Sequence, residues 1–287
     1  MQTHLPASQV LGDRRMYEQE EHRVFDTKHP GNRIASCYGS IEGSGEHREF
    51  RGEHTIVATG GINGNLEKVR DNWYWGSAPA ELLNGSHPYC DGYLHDVVAS
   101  HGGAVTHLEN MWNYAAGIPH PFPQFEGHGL SLIPCKSALW LDHTGRRIGP
   151  APLVTGFDTN EMCRRLASMD KPWSWQVLNW RIAAKEFAIS GAEHNPYIRD
   201  GRLLPFLKET LLGNHRLVRQ MQRESDHFIV ADSLAELVDA MNALDGDGLV
   251  EPGNVERAVS DFDDNVRRGA GQWNDDQLRR IQHARAW

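Results

Sequence analysis

The stretch His54–Gly64, HTIVATGGING, constrains the chain more than any other. Its run Thr55–Ala58 is apolar and rich in β-branched residues, stops at Thr59-Gly60-Gly61, and passes through Asn63-Gly64 into NLEKVRDNW. Such a run predicts a buried strand, closed by residues that tolerate positive φ and leave no side chain in the way of an incoming group. A helix is expected to follow over residues 65–73, capped by Asn63 or Asn65. A ligand is expected to lie against these glycines.

Two ligands suit a strand, glycine turn and helix. One is the pyrophosphate of a dinucleotide, held by backbone N–H groups at a G-x-G-x-x-G turn. Here Thr59 replaces the first glycine, and no strand ending in an acidic residue follows about 20 residues on, as the full fingerprint requires. The other is a flavin, for which ATGG would be a later edge of the site. The upstream sequence favours it. Val24–Thr27, Arg33–Ile41 and His47–Phe50 are predicted strands, joined by Pro30-Gly31-Asn32 and Gly43-Ser44-Gly45, which makes a three-stranded meander.

A meander feeding a strand that ends in ATGG resembles the glutathione-reductase class of flavin folds. The order ATGG, then Cys90-Asp91-Gly92 opening a helix that ends at Gly102-Gly103-Ala104, resembles the succinate dehydrogenase, fumarate reductase and 3-ketosteroid dehydrogenase flavoprotein superfamily. The strings HLENMWNYAAGI, SALWLDHTGRRIGPAPLVTGFDT and KEFAISGAEHNP are similar to its FAD-binding dehydrogenase branch, and the resemblance runs from about His22 to Trp287. It implies an α+β or α/β fragment: the meander and ATGG strand of a partial FAD-binding domain over 22–103, an α+β substrate-capping domain over 104–231, and C-terminal helices over 232–287. It also implies FAD as cofactor, with Ala58, Thr59, Gly60, Gly61, Gly64, Asp91 and Gly92 beside it, and hydride transfer at a substrate C–C bond. The helix opened by Asp91-Gly92 would turn its positive end toward the reduced ring.

The chain departs from that family in four respects. It carries no G-x-G-x-x-G and no second glycine-rich closing segment, so it is expected to be the middle of a longer flavoprotein, marginally stable alone and unable to retain FAD. The alternative is a non-catalytic remnant or partner subunit. Fumarate-reducing members place an Arg where this sequence has Gly156-Phe157-Asp158-Thr159-Asn160, and a substrate-binding His where it has Asn113-Tyr114.

The net charge of -9 excludes the basic surface that nucleic acid requires, leaving a small-molecule substrate as the expected partner. No run of about 18 apolar residues is present to span a membrane. Cys37, Cys90, Cys135 and Cys163 are scattered without a C-x-x-C pair, which predicts a reduced, cytoplasmic protein.

Residues 1–21 are polar and expected to pack poorly. Strands are predicted in VTHLENMW, GLSLIPCKSALWLD and RIGPAPLV, with a hairpin turn at Asp142-His143-Thr144-Gly145. Pro119, Pro121 and Pro123 stiffen a connector or lid. Helices are predicted over 93–101, 159–169, 180–189, 206–222, 234–244, 254–268 and 275–286, with a strand over 228–231 and a polar link from His194 to Arg202. Trp173, Trp175 and Trp180 are expected to serve as core mass. None of the 16 histidines has H-E-x-x-H spacing, and the pairs His120/His128 and His143/His128 are separated by loops, so no metal is expected. Tyr114, His128 and Arg147, on loops of the capping domain, are the residual candidates for proton transfer or substrate contact.

Overall fold

A computed structural model of the chain describes residues 36–41, 44–51, 53–54, 56–133, 135–149, 159–191 and 193–285. The expected lead-in, the strand Val24–Thr27 and the segment 150–158 lie outside them. Packing divides the chain into two units, one reaching to Tyr74 and resuming over Ser86–Trp112, the other formed by Trp75–Gly85 and Asn113 onward.

In the first unit, β1 (Ser36–Ser40) and β2 (His47–Arg51) form an antiparallel hairpin with Ser36 opposite Arg51 and Ser40 opposite His47. Gly45, at φ +66°, turns the loop and donates to the Ile41 carbonyl at 2.9 Å. The strand expected at Thr55–Ala58 does not form: residues 56–61 are irregular and Ile56 is 73% exposed. An extended run becomes a strand only by exchanging ladder bonds with a neighbour, and among the described residues none lies alongside. The helix after it does form. In α1 (Leu66–Asp71) the Asn65 side-chain oxygen Oδ1 accepts from the N–H groups of Glu67 and Lys68, both at 3.1 Å, so Asn65 rather than Asn63 is the cap. Buried Val69 and Leu94 anchor α1 and α2 (Tyr93–Ser100), and the Lys68 ammonium bridges them through Asp96 and the Gly92 carbonyl. VTHLENMW is irregular rather than a strand.

The second unit is an α+β assembly of small antiparallel sheets with helices packed on them. Its strands are β3 (Gly117–Pro119), β4 (Gly129–Ile133), β5 (Leu139–Leu141), β6 (Trp175–Val177) and β7 (Ala188–Ile189), paired as β3-β4-β7 and β5-β6. Along β5 the pleat sends alternate side chains into two cores. Trp140 joins Cys135, Ala138, Met162 and Leu166, the last two from α3 (Thr159–Ala167). Leu139 and Leu141 join Val238, Met241, Val250 and Val255. The last four come from α8 (Leu234–Asp245), the turn after it and α9 (Pro252–Arg268), so the helices expected as a separate C-terminal segment share a core with the capping sheet.

Three boundaries differ from expectation. The helix opened by Asn179, whose side chain accepts from Ile182 N–H at 3.0 Å, is α4 (Trp180–Glu186); it stops before Phe187 because residues 188 and 189 pair with β4. After the single turn α5 (Pro196–Arg199), the helix expected over 206–222 is two, α6 (Leu203–Leu212) and α7 (His215–Glu224). Gly213, at φ +105°, packs against Ala184, and the Asn214 N–H donates to the Ala184 carbonyl at 2.6 Å, while its side chain caps α7. Residues 228–231 are irregular. The chain closes with α10 (Asp276–Arg285).

Candidate functional site

In the first unit the glycines meet their own chain before they meet anything else. A methyl group at Gly60, where φ is +88°, would lie 2.8 Å from Cys90 Sγ, and one at Gly64 would lie 2.6 Å from the Pro88 carbonyl oxygen. The Gly64 N–H donates to the Cys90 carbonyl at 2.8 Å. Gly64 lets the turn meet the backbone of His87 and Pro88, and Gly60 makes room for the Cys90 side chain. Gly61 behaves differently: it is exposed, and a methyl group there would meet nothing within 4 Å. Ala58 is exposed and Thr59 half-buried. Asp91 accepts from Tyr93 N–H at 2.9 Å and so fixes the first turn of α2, and Gly92, at φ +76°, sits where a methyl group would strike Ile62 Cγ2 at 2.8 Å. The expected cofactor residues are therefore contiguous, with the open edge at Gly61.

In the second unit the expected catalytic residues do not converge. Arg147 is committed: its guanidinium donates to Asp275 at 2.5 Å and to Gln277 at 3.1 Å, and lies 5.1 Å from the Phe262 ring centre. Asp275, only 2% exposed, also accepts from Leu278 N–H at 3.0 Å at the start of α10. Arg147 thus ties β5's hairpin to the end of the chain. It lines an open polar cleft of about 410 Å³ with Asp261, Asp264 and Arg268. Tyr114 is exposed near the start of the unit.

His128 belongs to a cluster instead. Its ring stacks on His120 with centres 4.2 Å apart and planes 6° from parallel, and on Phe125 at 4.3 Å. Burial and the neighbouring His120 hold its pKa below the ordinary histidine value, partly countered by Glu193. His120 Nδ1 accepts from Phe122 N–H at 3.0 Å, which leaves Nε2 to face Glu193 Oε1 at 3.9 Å. The same carboxylate oxygen lies 3.5 Å from His194 Nε2. His194 is 5% exposed, and burial pushes its pKa down. In the sequence His194 reads as the start of a polar link, and Glu193 carries no role. The one signal for them was the string KEFAISGAEHNP, whose His follows a strand that the structure seats on β4.

No protein-family profile matches the chain. Curated relatives do. A KsdD-like steroid dehydrogenase of Mycolicibacterium smegmatis is 38% identical over 198 residues, which are 68% of this chain and 36% of that protein. KsdD-like steroid dehydrogenases from two strains of Mycobacterium tuberculosis are 37% identical over 239 residues, 78% of this chain and 42% of each. Over the matched residues the chain is homologous to the KsdD-like steroid dehydrogenase family. This is the 3-ketosteroid dehydrogenase branch of the flavoprotein superfamily that the motif strings resemble. The chain spans about two fifths of the length of the KsdD-like relatives it matches. Among its described residues, no helix is long and apolar enough to cross a membrane.

Proposed function

We propose that the protein is a FAD-dependent oxidoreductase that transfers hydride between a substrate C–C bond and the flavin, with a steroid-like substrate as the relatives' names suggest. The observation that supports this is the open edge at Gly61, set between a backbone-packed glycine on one side and the N-terminus of α2 nearby in the same unit. Flavin, when bound, supplies the hydride chemistry. This chain's residues would present the Gly60-Gly61 backbone to the flat face or edge of the ring, while Asp91 and Gly92 fix the start of α2. The fit is to one edge only. The 287 residues hold no G-x-G-x-x-G, so the chain lacks a loop for the pyrophosphate.

That absence supports a second reading, a non-catalytic remnant or partner subunit, and the two are separable by footprinting. Cys90 Sγ borders the corner, so added FAD should slow alkylation of Cys90 in a concentration-dependent way, and Gly61→Val should remove the protection while leaving the apo fold intact. Colour is not expected to survive gel filtration. If FAD never protects Cys90, or protects it equally in Gly61→Val, the flavin reading fails; if the chain elutes yellow, it holds a phosphate site of a different kind. Placement in a reduced, cytoplasmic compartment accords with the thiols of Cys90 and Cys135.

A further inference from the structure

Two features of the second unit lead away from the flavin. The polar cleft beside Arg147 has its one buried carboxylate already paired, and the leucine-rich face of α6 has nothing in the structure to indicate an occupant. The histidine cluster differs from both, because one of its members is buried with neither ring nitrogen hydrogen-bonded among the described residues.

His194 is enclosed on nearly all sides, yet neither ring nitrogen has a hydrogen-bond partner among the described residues. A buried polar group is normally satisfied, and one that is not calls for an explanation such as an ion. The loop carrying it is not loosely placed. Asn195 Nδ2 donates to the carbonyls of Ile189 and Gly191, both at 2.8 Å, and the His194 carbonyl accepts from Arg216 of α7 at 3.3 Å. The backbone therefore aims the imidazole rather than leaving it to find a position.

What it faces is a set of ligand atoms. One ligating atom from each of His120, Glu193 and His194 lies within 4.8 Å of the other two. Zinc bonds of about 2.0–2.2 Å at a tetrahedral angle place ligand atoms roughly 3.4 Å apart. The observed separations from Glu193 Oε1 are 3.5 Å to His194 and 3.9 Å to His120, close to that value, and the two imidazoles, within 4.8 Å of each other, would draw together around an ion. We infer that His120, Glu193 and His194 form a binding site for a divalent transition-metal ion of the zinc class, anchored by His194.

Two imidazoles and one carboxylate are the donor set such ions share. Glu193 is largely exposed, so the remaining coordination position opens to solvent and takes water. His120 contributes through Nε2. In the metal-free ring its proton sits there, because Nδ1 accepts from Phe122. On binding, the proton shifts to Nδ1, the Phe122 contact opens, and that N–H, on an exposed loop, is taken over by water. The stack on His128 holds the ring plane in place throughout. The inference does not rest on the flavin reading, since all three residues lie in the second unit.

The test uses the purified chain stripped with chelator. Added Zn²⁺ should raise its Tm, and Co²⁺ as a spectroscopic stand-in should give the visible ligand-field bands of a low-symmetry nitrogen and oxygen site. His194→Leu should abolish both while leaving the apo Tm unchanged or higher, because it removes an unsatisfied buried group. Glu193→Gln should weaken Co²⁺ binding by about 10- to 100-fold, the range seen when groups supporting a metal are lost. His107→Ala, which removes an exposed histidine beside Glu109 in the other unit, should change nothing. Absence of Zn²⁺ stabilisation and Co²⁺ bands in the wild type overturns the inference. So does wild-type affinity in His194→Leu or, should that variant not fold, in Glu193→Gln.

Discussion

Gly61 and Gly64 are three residues apart and carry different burdens. Gly64→Ala must displace the backbone at Pro88 and should destabilise the first unit by roughly 1–3 kcal/mol, as overpacking against atoms that cannot rotate away does. Gly61→Ala has open space and should leave the melting curve unchanged, so the pair separates folding from ligand contact in one thermal scan. Cys135 gives a second residue-scale expectation. Burial, reinforced by the nearby Glu186 carboxylate, pushes its thiol from 9.0 up to about 12. The folded chain therefore keeps a proton that the unfolded chain releases. The stability this contributes is complete below 9.0 and is lost as pH rises toward 12. Alkaline denaturation should be shallower for Cys135→Ala than for the wild type, and at pH 8 Cys90 should alkylate well before Cys135.

At the scale of elements, caps, turns and the short β1–β2 hairpin are legible in the sequence, and the longer-range pairings are not. Ser233 accepts from Glu236 N–H at 3.2 Å while the Glu236 carboxylate accepts from Asp232 N–H at 3.2 Å, so the start of α8 is written in adjacent letters. Ser233→Ala should cost about 1 kcal/mol, measurable by urea unfolding. The strand at Thr55–Ala58 was mispredicted because β-branched letters report suitability for a sheet and say nothing about whether a neighbour is present. The break at Gly213-Asn214 was missed because apolar spacing continues across it; the tertiary contact with Ala184 decides it. The histidine cluster was invisible for a similar reason. His120 and Glu193 are far apart in sequence, and only the β3-β4-β7 pairing brings their loops together. The glycine turn at residues 60–64, by contrast, is marked in the sequence itself by its run of Gly and Asn.

For the whole molecule, the sum of buried area matters less than where the polar ties fall. Asp275 is paired with Arg147 inside the protein, and removing one partner of such a pair costs roughly 3–5 kcal/mol, so Asp275→Ala should lower the Tm of the second unit by many degrees. The leucines of α6 make the opposite prediction. The helix has no buried residue and Leu204 is 80% exposed, so Leu204→Glu with Leu211→Glu should leave the Tm unchanged in a thermal melt.

The turn at Asp142–Gly145 has one more consequence. The Thr144 carbonyl accepts from Asn254 Nδ2 at 3.0 Å and from Glu251 N–H at 3.1 Å, and Gly145 packs against Val255, so a hairpin is closed by residues made about a hundred positions later. During synthesis Leu139 and Leu141 leave the ribosome long before their partners Val250 and Val255 exist. They must be shielded or wait, and the native structure around them is completed only when the segment 250–255 has emerged.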